Sequence, residues 1–367
     1  MNKMIVANLA YRPIRSLISI SAVALEVILI LLIVSFFYGQ LTGSTSSQMG
    51  VGADIMVQPP GASNLIGVSG APMSVKVGDV LRKLPHIVMV APVIWELTTK
   101  PSLEIIYGID FASYDGITPS FRFLSGGPFQ GPNDVIVDDY YAGSKRIKVG
   151  DALEILNNQF RVCGIVEHGK GARKFLPLPT LQSLIGAEGH ASVFYVKLDD
   201  PSNADAVVEE IKHVPGMENY AARSMQEYLS MMTPENLPGF QTSIRIVIAI
   251  SMIIGFLVIF QSMYTAVMER TREIGILKSL GASKLYVVNV VLRETALLAI
   301  VGIVLGTVLS FFGRRLILLA HPTLRMYWSY QWVVRATILA LAGALLGALY
   351  PAFKAAQKDP IDALAYE

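Results

Sequence analysis

Four stretches of this chain are too long and too apolar to fold in water: 17–38, 246–268, 295–313 and 336–353. A hydrocarbon core about 30 Å thick takes about 20 residues of helix, and lipid offers no partner to unpaired backbone groups. Each stretch is therefore predicted to be a membrane-spanning helix. Charge intrudes at two places. Glu26 lies near the middle of the first stretch, and Arg293-Glu294 separates the third from the apolar run 285–292 before it. Lys3, Arg12 and Arg15 precede the first stretch, as in a signal peptide. Its apolar run nevertheless exceeds the roughly 7–15 residues of a signal core, contains Glu26 and ends without a small-x-small cleavage site. It reads as an uncleaved anchor.

Composition supports a membrane protein. Only 16% of the 367 residues are charged, against 53% hydrophobic, with a mean hydropathy of +0.50; soluble domains carry about 25% charged residues. The formal net charge of +2 conceals a split. Residues 40–243 hold 15 Lys/Arg and 21 Asp/Glu, and the remainder holds 15 and 7. The basic remainder suits anionic headgroups, and no nucleic-acid footprint is present.

Lys and Arg near span ends set orientation. One side collects Lys3, Arg12, Arg15, Arg270, Arg272, Lys278, Lys284, Arg293, Lys354 and Lys358. The other has none in 40–60 and none in 224–243, although Arg314, Arg315, Arg325 and Arg335 dissent; these are read as snorkelling to outer headgroups. The expected layout is a cytoplasmic N-terminal segment 1–16, span 17–39, an extracytoplasmic domain 40–243, span 244–268, a cytoplasmic helix 269–284, span 285–313, an outer loop 314–332, span 333–353 and a cytoplasmic tail 354–367. The fold class is membrane α-helical, with four spans and an inserted extracytoplasmic α+β domain. Within that domain, strands are expected at 54–58, 134–137, 152–156, 159–166 and 192–198, with a hairpin turn at Asn157-Asn158. Helices are expected at 77–83, 180–184 and 203–213.

No catalytic constellation emerges. His86, His168, His190, His213 and His321 lack metal-ligand spacing, and no G-x-S-x-G is present. Cys163, the only cysteine, sits in a strand-like run and reads as an inert packed thiol. Lys170, Arg173 and Lys174, set among glycines in 169–174, are either a solvated loop or a contact for an anionic headgroup or acidic partner.

The segment after the second span carries the most information: Glu269-Arg270-Thr271-Arg272-Glu273-Ile274-Gly275-Ile276-Leu277-Lys278-Ser279-Leu280-Gly281-Ala282-Ser283. It reads as a short amphipathic helix, with Arg270 and Glu273 able to pair at i, i+3. Gly281 ends it, and Ser283 is placed to cap the next span. A stiff, charged, half-apolar helix between two spans suits docking of a soluble partner.

This segment resembles the signature of the FtsX/MacB-like (type VII) ABC transporter permease family over fifteen nearly continuous residues. Asn8–Leu17 resembles the family's amphipathic lead into the first span, and 52–57 its first outer strand. Val149-Gly150-Asp151 with 160–166 resembles the core of its outer domain. Pro351–Ala356 and 359–364 resemble its tail, where Asp359 would cap a short helix with Pro360 at its first position. The resemblance implies a non-catalytic subunit of an exporter or extractor of a lipid, lipoprotein, peptide or drug-like substrate. It implies two ATPase subunits that bind ATP and Mg, docked on Glu269, Arg270, Arg272, Glu273, Gly275, Lys278 and Gly281. It further implies a second permease copy or paralogue, with a periplasmic adaptor as a further candidate partner, in a bacterial cell membrane. The sequence has no G-x-x-x-x-G-K-[ST] loop, so no cofactor is expected in this chain. It begins at the first span, unlike the MacB subgroup, whose ATPase is fused at the N-terminus. The alternative is a signalling permease that moves an outer domain to control a cell-wall hydrolase or sensor.

Gly302/Gly306 and Gly343/Gly347 form two G-x-x-x-G motifs expected to pack helices closely, within or between chains. Glu26 is costly at mid-span, by about 2.5–3.5 kcal/mol or more if charged. It is expected either to contact substrate or a moving helix, or to hydrogen-bond Gln261 or Ser262. No second carboxylate was expected in a span interior, so no proton path is implied.

Overall fold

The structure, a computed structural model, describes residues 13–62, 72–98, 104–118, 121–237, 239–321 and 323–357. Residues 1–12 of the proposed N-terminal amphipathic segment 1–16, and the capped helix after Asp359, lie outside the described residues. The chain divides into two compact units: residues 1–39, 241–320 and 326–367, and residues 40–240 with 321–325.

The first unit is built from long apolar helices, the fold class expected from the spans. Among the described residues four helices are long and apolar enough to cross a membrane: α1 (Pro13–Met49), α8 (Phe240–Glu269), α10 (Lys284–Ala320) and α11 (Tyr330–Gln357). The G-x-x-x-G glycines pack them within this chain. A Cβ on Gly302 would lie 2.9 Å from the Ile20 carbonyl, and one on Gly306 2.6 Å from the Ala24 carbonyl, so α10 meets α1 backbone to backbone. Gly347 brings α11 to α8 in the same way, 2.8 Å from the Phe256 carbonyl. Without a hydrophobic drive between helices in lipid, such close approach is what dispersion can use. Arg314 donates to the Met326 carbonyl at 3.2 Å, and Arg335 lies over the Trp332 ring.

The second unit is an α+β domain on one mixed sheet. Its strands are β1 (Ile55–Gln58), β3 (Ile87–Thr98), β4 (Glu104–Ile109), β5 (Phe123–Gly126), β6 (Asp134–Asp138), β7 (Ala152–Ile155), β8 (Asn158–Val166), β9 (Lys174–Pro177), β11 (Val193–Leu198) and β12 (Ala221–Ser224). They run in the order β12-β1-β11-β3-β4-β9-β6-β8-β5, with β7 on β8. A small pair, β2 (Met73–Ser74) and β10 (His190–Ala191), stands apart. Both sheet faces are covered. Ala91, Val93 and Trp95 join one core, over which α3 (Phe111–Ile117) lies, while Val90 and Ile94 enter separate cores. Helices α2 (Val77–Leu81), α5 (Leu178–Ile185) and α6 (Ala204–His213) contribute to those cores with Leu81, Leu181 and Val207. α4 (Asp139–Lys145) and α7 (Met225–Met231) complete the set.

The hairpin turn between β7 and β8 is shifted by one residue from Asn157-Asn158. Leu156 and Asn157 take the positive φ values of 49° and 61°, and Asn158 already pairs with Ile155. Two successive left-handed residues make the tight turn whose twist suits a hairpin.

Candidate functional site

The signature segment folds as a helix set between two long ones. α8 ends at Glu269, Arg270 departs from helical geometry (φ −107°, ψ 18°), and α9 runs Thr271–Ser279. The Thr271 hydroxyl donates back to the Met268 carbonyl at 2.8 Å, filling one of the acceptors that the end of α8 leaves open. At the other end Gly281 takes φ +95°, Gly281 and Ala282 donate to the Lys278 and Leu277 carbonyls, and the chain turns out of the helix. Ser283 then accepts from the Tyr286 amide at 3.2 Å, capping α10.

The two faces of α9 differ. Thr271, Ile274 and Gly275 are buried. Arg272, Glu273, Ser279 and Gly281 are exposed, as are Ile276 and Leu280, the latter 80% exposed. Lys278 is half-buried and donates to the Ala356 carbonyl of α11 at 3.0 Å. Between α8, α9 and α10 lies a cavity of about 400 Å³ with mainly apolar walls, Met263, Ile274 and Val287 among them, to which Arg270, Glu273 and Glu294 add charge.

Arg270 does not behave as the sequence suggested. It turns from the exposed face, where Glu273 stands, to Glu294 of α10, with Nη1 at 3.1 Å from Oε2 and 3.4 Å from Oε1. Arg15 of α1 donates its Nη2 to Oε1 of the same carboxylate at 3.1 Å, and its Nη1 lies 3.8 Å from Glu269 of α8. Glu294 is 4% exposed, so it is a second carboxylate inside the helical unit, contrary to expectation. Removing one member of a buried pair leaves the other uncompensated, at a cost of about 3–5 kcal/mol. The tie joins residues 279 positions apart, which no local periodicity reveals. One signal was present: an ionisable residue inside an apolar span needs a partner, and Glu294 follows an apolar run as conspicuously as Glu26 does.

Glu26 is 3% exposed, and its Oε1 has no hydrogen-bond partner among the described residues. Neither Gln261 nor Ser262 serves it. Ser262 is taken by Ser19, Oγ to Oγ at 2.6 Å. The carboxylate instead occupies the space left by two glycines: a Cβ on Gly255 would collide with it, and one on Gly343 would sit 3.8 Å from Oε1.

The 169–174 segment also differs from expectation. Lys174 begins β9, is 3% exposed, pairs with Glu104 and lies over the Tyr141 ring. Arg173 donates to the Thr323 carbonyl, and burial lowers its pKa. Those two cations are held by partners within the unit, so the three do not form one cluster open to an outside anion. Lys170 is half-buried, and its carbonyl accepts from the Tyr114 hydroxyl at 2.7 Å. The turn needs glycine: Gly171 has φ +91°, and a Cβ there would press on Tyr107 and Tyr114. Arg325, the dissenting outer arginine, donates to the Gly43 carbonyl at 2.7 Å inside the α+β unit.

A membrane bundle carrying an α+β insert, with a rigid helix tied between its second and third long helices, defines a permease architecture. Known families agree. Residues 16–214 match the model of the MacB-like periplasmic core domain, and residues 245–360 match that of the FtsX-like permease C-terminal region. The chain belongs to the FtsX/MacB-like family of ABC transporter permeases.

Among curated relatives, an uncharacterized ABC transporter permease, MJ1507, of Methanocaldococcus jannaschii is 28% identical over 61% of this chain and 59% of its own length. The macrolide export ATP-binding/permease protein MacB of a Shewanella strain is 27% identical over 80% of this chain and 49% of its own. The uncharacterized ABC transporter permease YknZ of Bacillus subtilis is 27% identical over 59% of this chain and 55% of its own length. The chain thus spans about half to three fifths of the length of these relatives. The crystal structure of the periplasmic region of MacB from Actinobacillus actinomycetemcomitans, 18% identical, aligns over 52% of this chain and 97% of its own with a TM-score of 0.39.

Proposed function

We propose that this chain is the membrane subunit of an ATP-driven transporter in which a separate ATPase docks on α9 and drives movement of the α+β domain. Both termini and α9 face the cytoplasm in this reading, which the Lys/Arg distribution supports, and the α+β domain lies outside. The cargo is a lipid, lipoprotein, peptide or drug-like amphiphile; relatives named for macrolide export support that class. Two ATPases and a second permease copy complete the assembly, ATP and Mg being held by the ATPases.

The observation that carries the reading is the two-sided character of α9. Arg272, Glu273, Ile276 and Leu280 form an exposed half-charged, half-apolar face, while Thr271, Ile274 and Gly275 are buried. A helix built to be covered has apolar anchors with charges beside them. The test is affinity purification of the tagged chain from its own membranes. Replacing Arg272, Glu273 and Leu280 together by alanine should abolish co-purification of a nucleotide-hydrolysing subunit. Undiminished capture by that variant contradicts the docking assignment.

A further inference from the structure

We propose that Glu294 is a positioning residue that makes α9 move with α1 and α10, and that Arg270 belongs to this tie rather than to the docking face. The inference rests on the reading of α9 as the docking helix.

α8 and α9 are separated by one residue out of helical geometry, Arg270. A load applied to α9 at such a break would bend the junction unless the start of α9 were held from the side. Glu294 supplies that hold. Its two oxygens receive guanidinium groups from two different elements, Arg270 at the head of α9 and Arg15 near the start of α1. Arg15 reaches on to Glu269 at the end of α8. One carboxylate on α10 therefore links the head of α9 to the start of α1 and, through Arg15, to the end of α8. The three core side chains are nearly enclosed, at 12%, 13% and 6% exposure. Glu294 is thus buried, whereas Arg272, Glu273 and Leu280 are exposed. α1 is one continuous helix to Met49, and its residues from 40 onward belong to the α+β unit. Tying α9 to α1 gives displacement of α9 a stiff element to act on.

The geometry also limits substitution. Glutamine matches glutamate in shape but is uncharged and replaces one acceptor oxygen by an amide donor, so it loses the ionic attraction for both guanidiniums and Arg270 loses one of its two acceptors. Glu294→Gln should leave a bundle of the same shape whose docking helix is no longer locked.

The test uses the full-length complex in nanodiscs, with spin labels on Ser279→Cys at the end of α9 and Ser202→Cys in the α+β domain. Cys163 is buried and stays unlabelled. Three quantities are read: co-purified ATPase, ATP hydrolysis, and the label-to-label distance with and without a non-hydrolysable ATP analogue. Glu294→Gln should capture ATPase at the wild-type level while its nucleotide-dependent distance change falls by about tenfold. Arg15→Gln removes one of the two ties and should give an intermediate loss; it also serves if Glu294→Gln does not assemble. A wild-type distance change in both variants overturns the inference and leaves the docking assignment intact. Loss of capture in both variants overturns it too, by placing Glu294 in ATPase binding. If the unmodified chain captures no ATPase, the docking reading fails and this inference falls with it.

Discussion

The Gln48 side chain is held between two tyrosines: Tyr195 donates its hydroxyl to Oε1 at 2.8 Å, and Nε2 donates to the Tyr107 hydroxyl at 3.1 Å. The tyrosines are fully buried on β11 and β4, whereas Gln48 is contributed by the end of α1. Gln48→Leu would leave both hydroxyls short of a partner and should destabilise the α+β domain by about 1–3 kcal/mol. Tyr195→Phe removes one donor together with its demand and should cost less, about 1 kcal/mol. Denaturant unfolding in micelles measures both, followed by Trp95 fluorescence with Trp328 and Trp332 replaced by phenylalanine. Equal stability of Gln48→Leu and the parent would show that the tie contributes nothing.

Glu26 and Gly255 make the second testable pair, because the carboxylate fills the space where a Gly255 side chain would stand. Gly255→Ala forces one of them to move and should destabilise the bundle by about 1–3 kcal/mol. In combination with Glu26→Ala the obstruction is gone, so the double variant should lose less than the sum of the two single losses. Gly313→Ala is the control. A Cβ there would come no nearer than 3.8 Å to Leu32, and alanine is the better helix former. Heat unfolding in micelles decides it, and strictly additive losses at 26 and 255 would refute the steric relation.

What the sequence disclosed, and what it hid, follows from the range over which each feature is encoded. The long apolar helices and α9 are written in contiguous residues: an apolar run of sufficient length, a glycine that can take φ +95°, and a serine that caps. β1, β6, β7, β8 and β11 were legible for the same reason. β3 was not, since Val90 to Trp95 are buried on both faces and show no alternation, and Pro92 sits within the strand. β9 was hidden by Lys174, whose charge reads as a loop until Glu104 is brought beside it by the sheet. The Arg15–Glu294–Arg270 tie lay furthest out of reach. Arg15 lies 279 positions from Glu294 and Arg270 lies 24, and only the cost of burying Glu294 alone hints that partners exist.

Cys163 on β8 gives a simple probe of the same core. Its thiol is buried beside the Val135 carbonyl, and burial pushes its pKa up to about 11. Only the thiolate is nucleophilic, so both access and ionisation are withheld near neutrality. N-ethylmaleimide should fail to label the folded protein at pH 7.5 and should label it fully in denaturant, as read by intact mass. Rapid labelling of the native protein would place Cys163 at an open surface.

Asp138 allows a prediction with a definite sign. Its carboxylate ends β6 and accepts from the Tyr141 amide at 2.6 Å, capping α4. Burial pushes its pKa from 3.8 up to about 6, against the opposing pull of the Tyr141 amide and the Arg173 guanidinium. Asp139 and His168 also face it, the first raising and the second lowering the value. A folded-state pKa above the unfolded one means that the folded state binds the proton more tightly. The resulting stabilisation is complete below about pH 4 and is lost as pH rises through about 6. Asparagine offers the same cap acceptor and does not titrate. Asp138→Asn should therefore match the parent near pH 4 and exceed it above pH 6, by an amount on the order of 3 kcal/mol at most. Unfolding midpoints of the two proteins measured from pH 4 to 7.5 test this. A difference that stays constant across that range, or that favours aspartate as pH rises, would mean that Asp138 ionises in the fold as easily as it does in water.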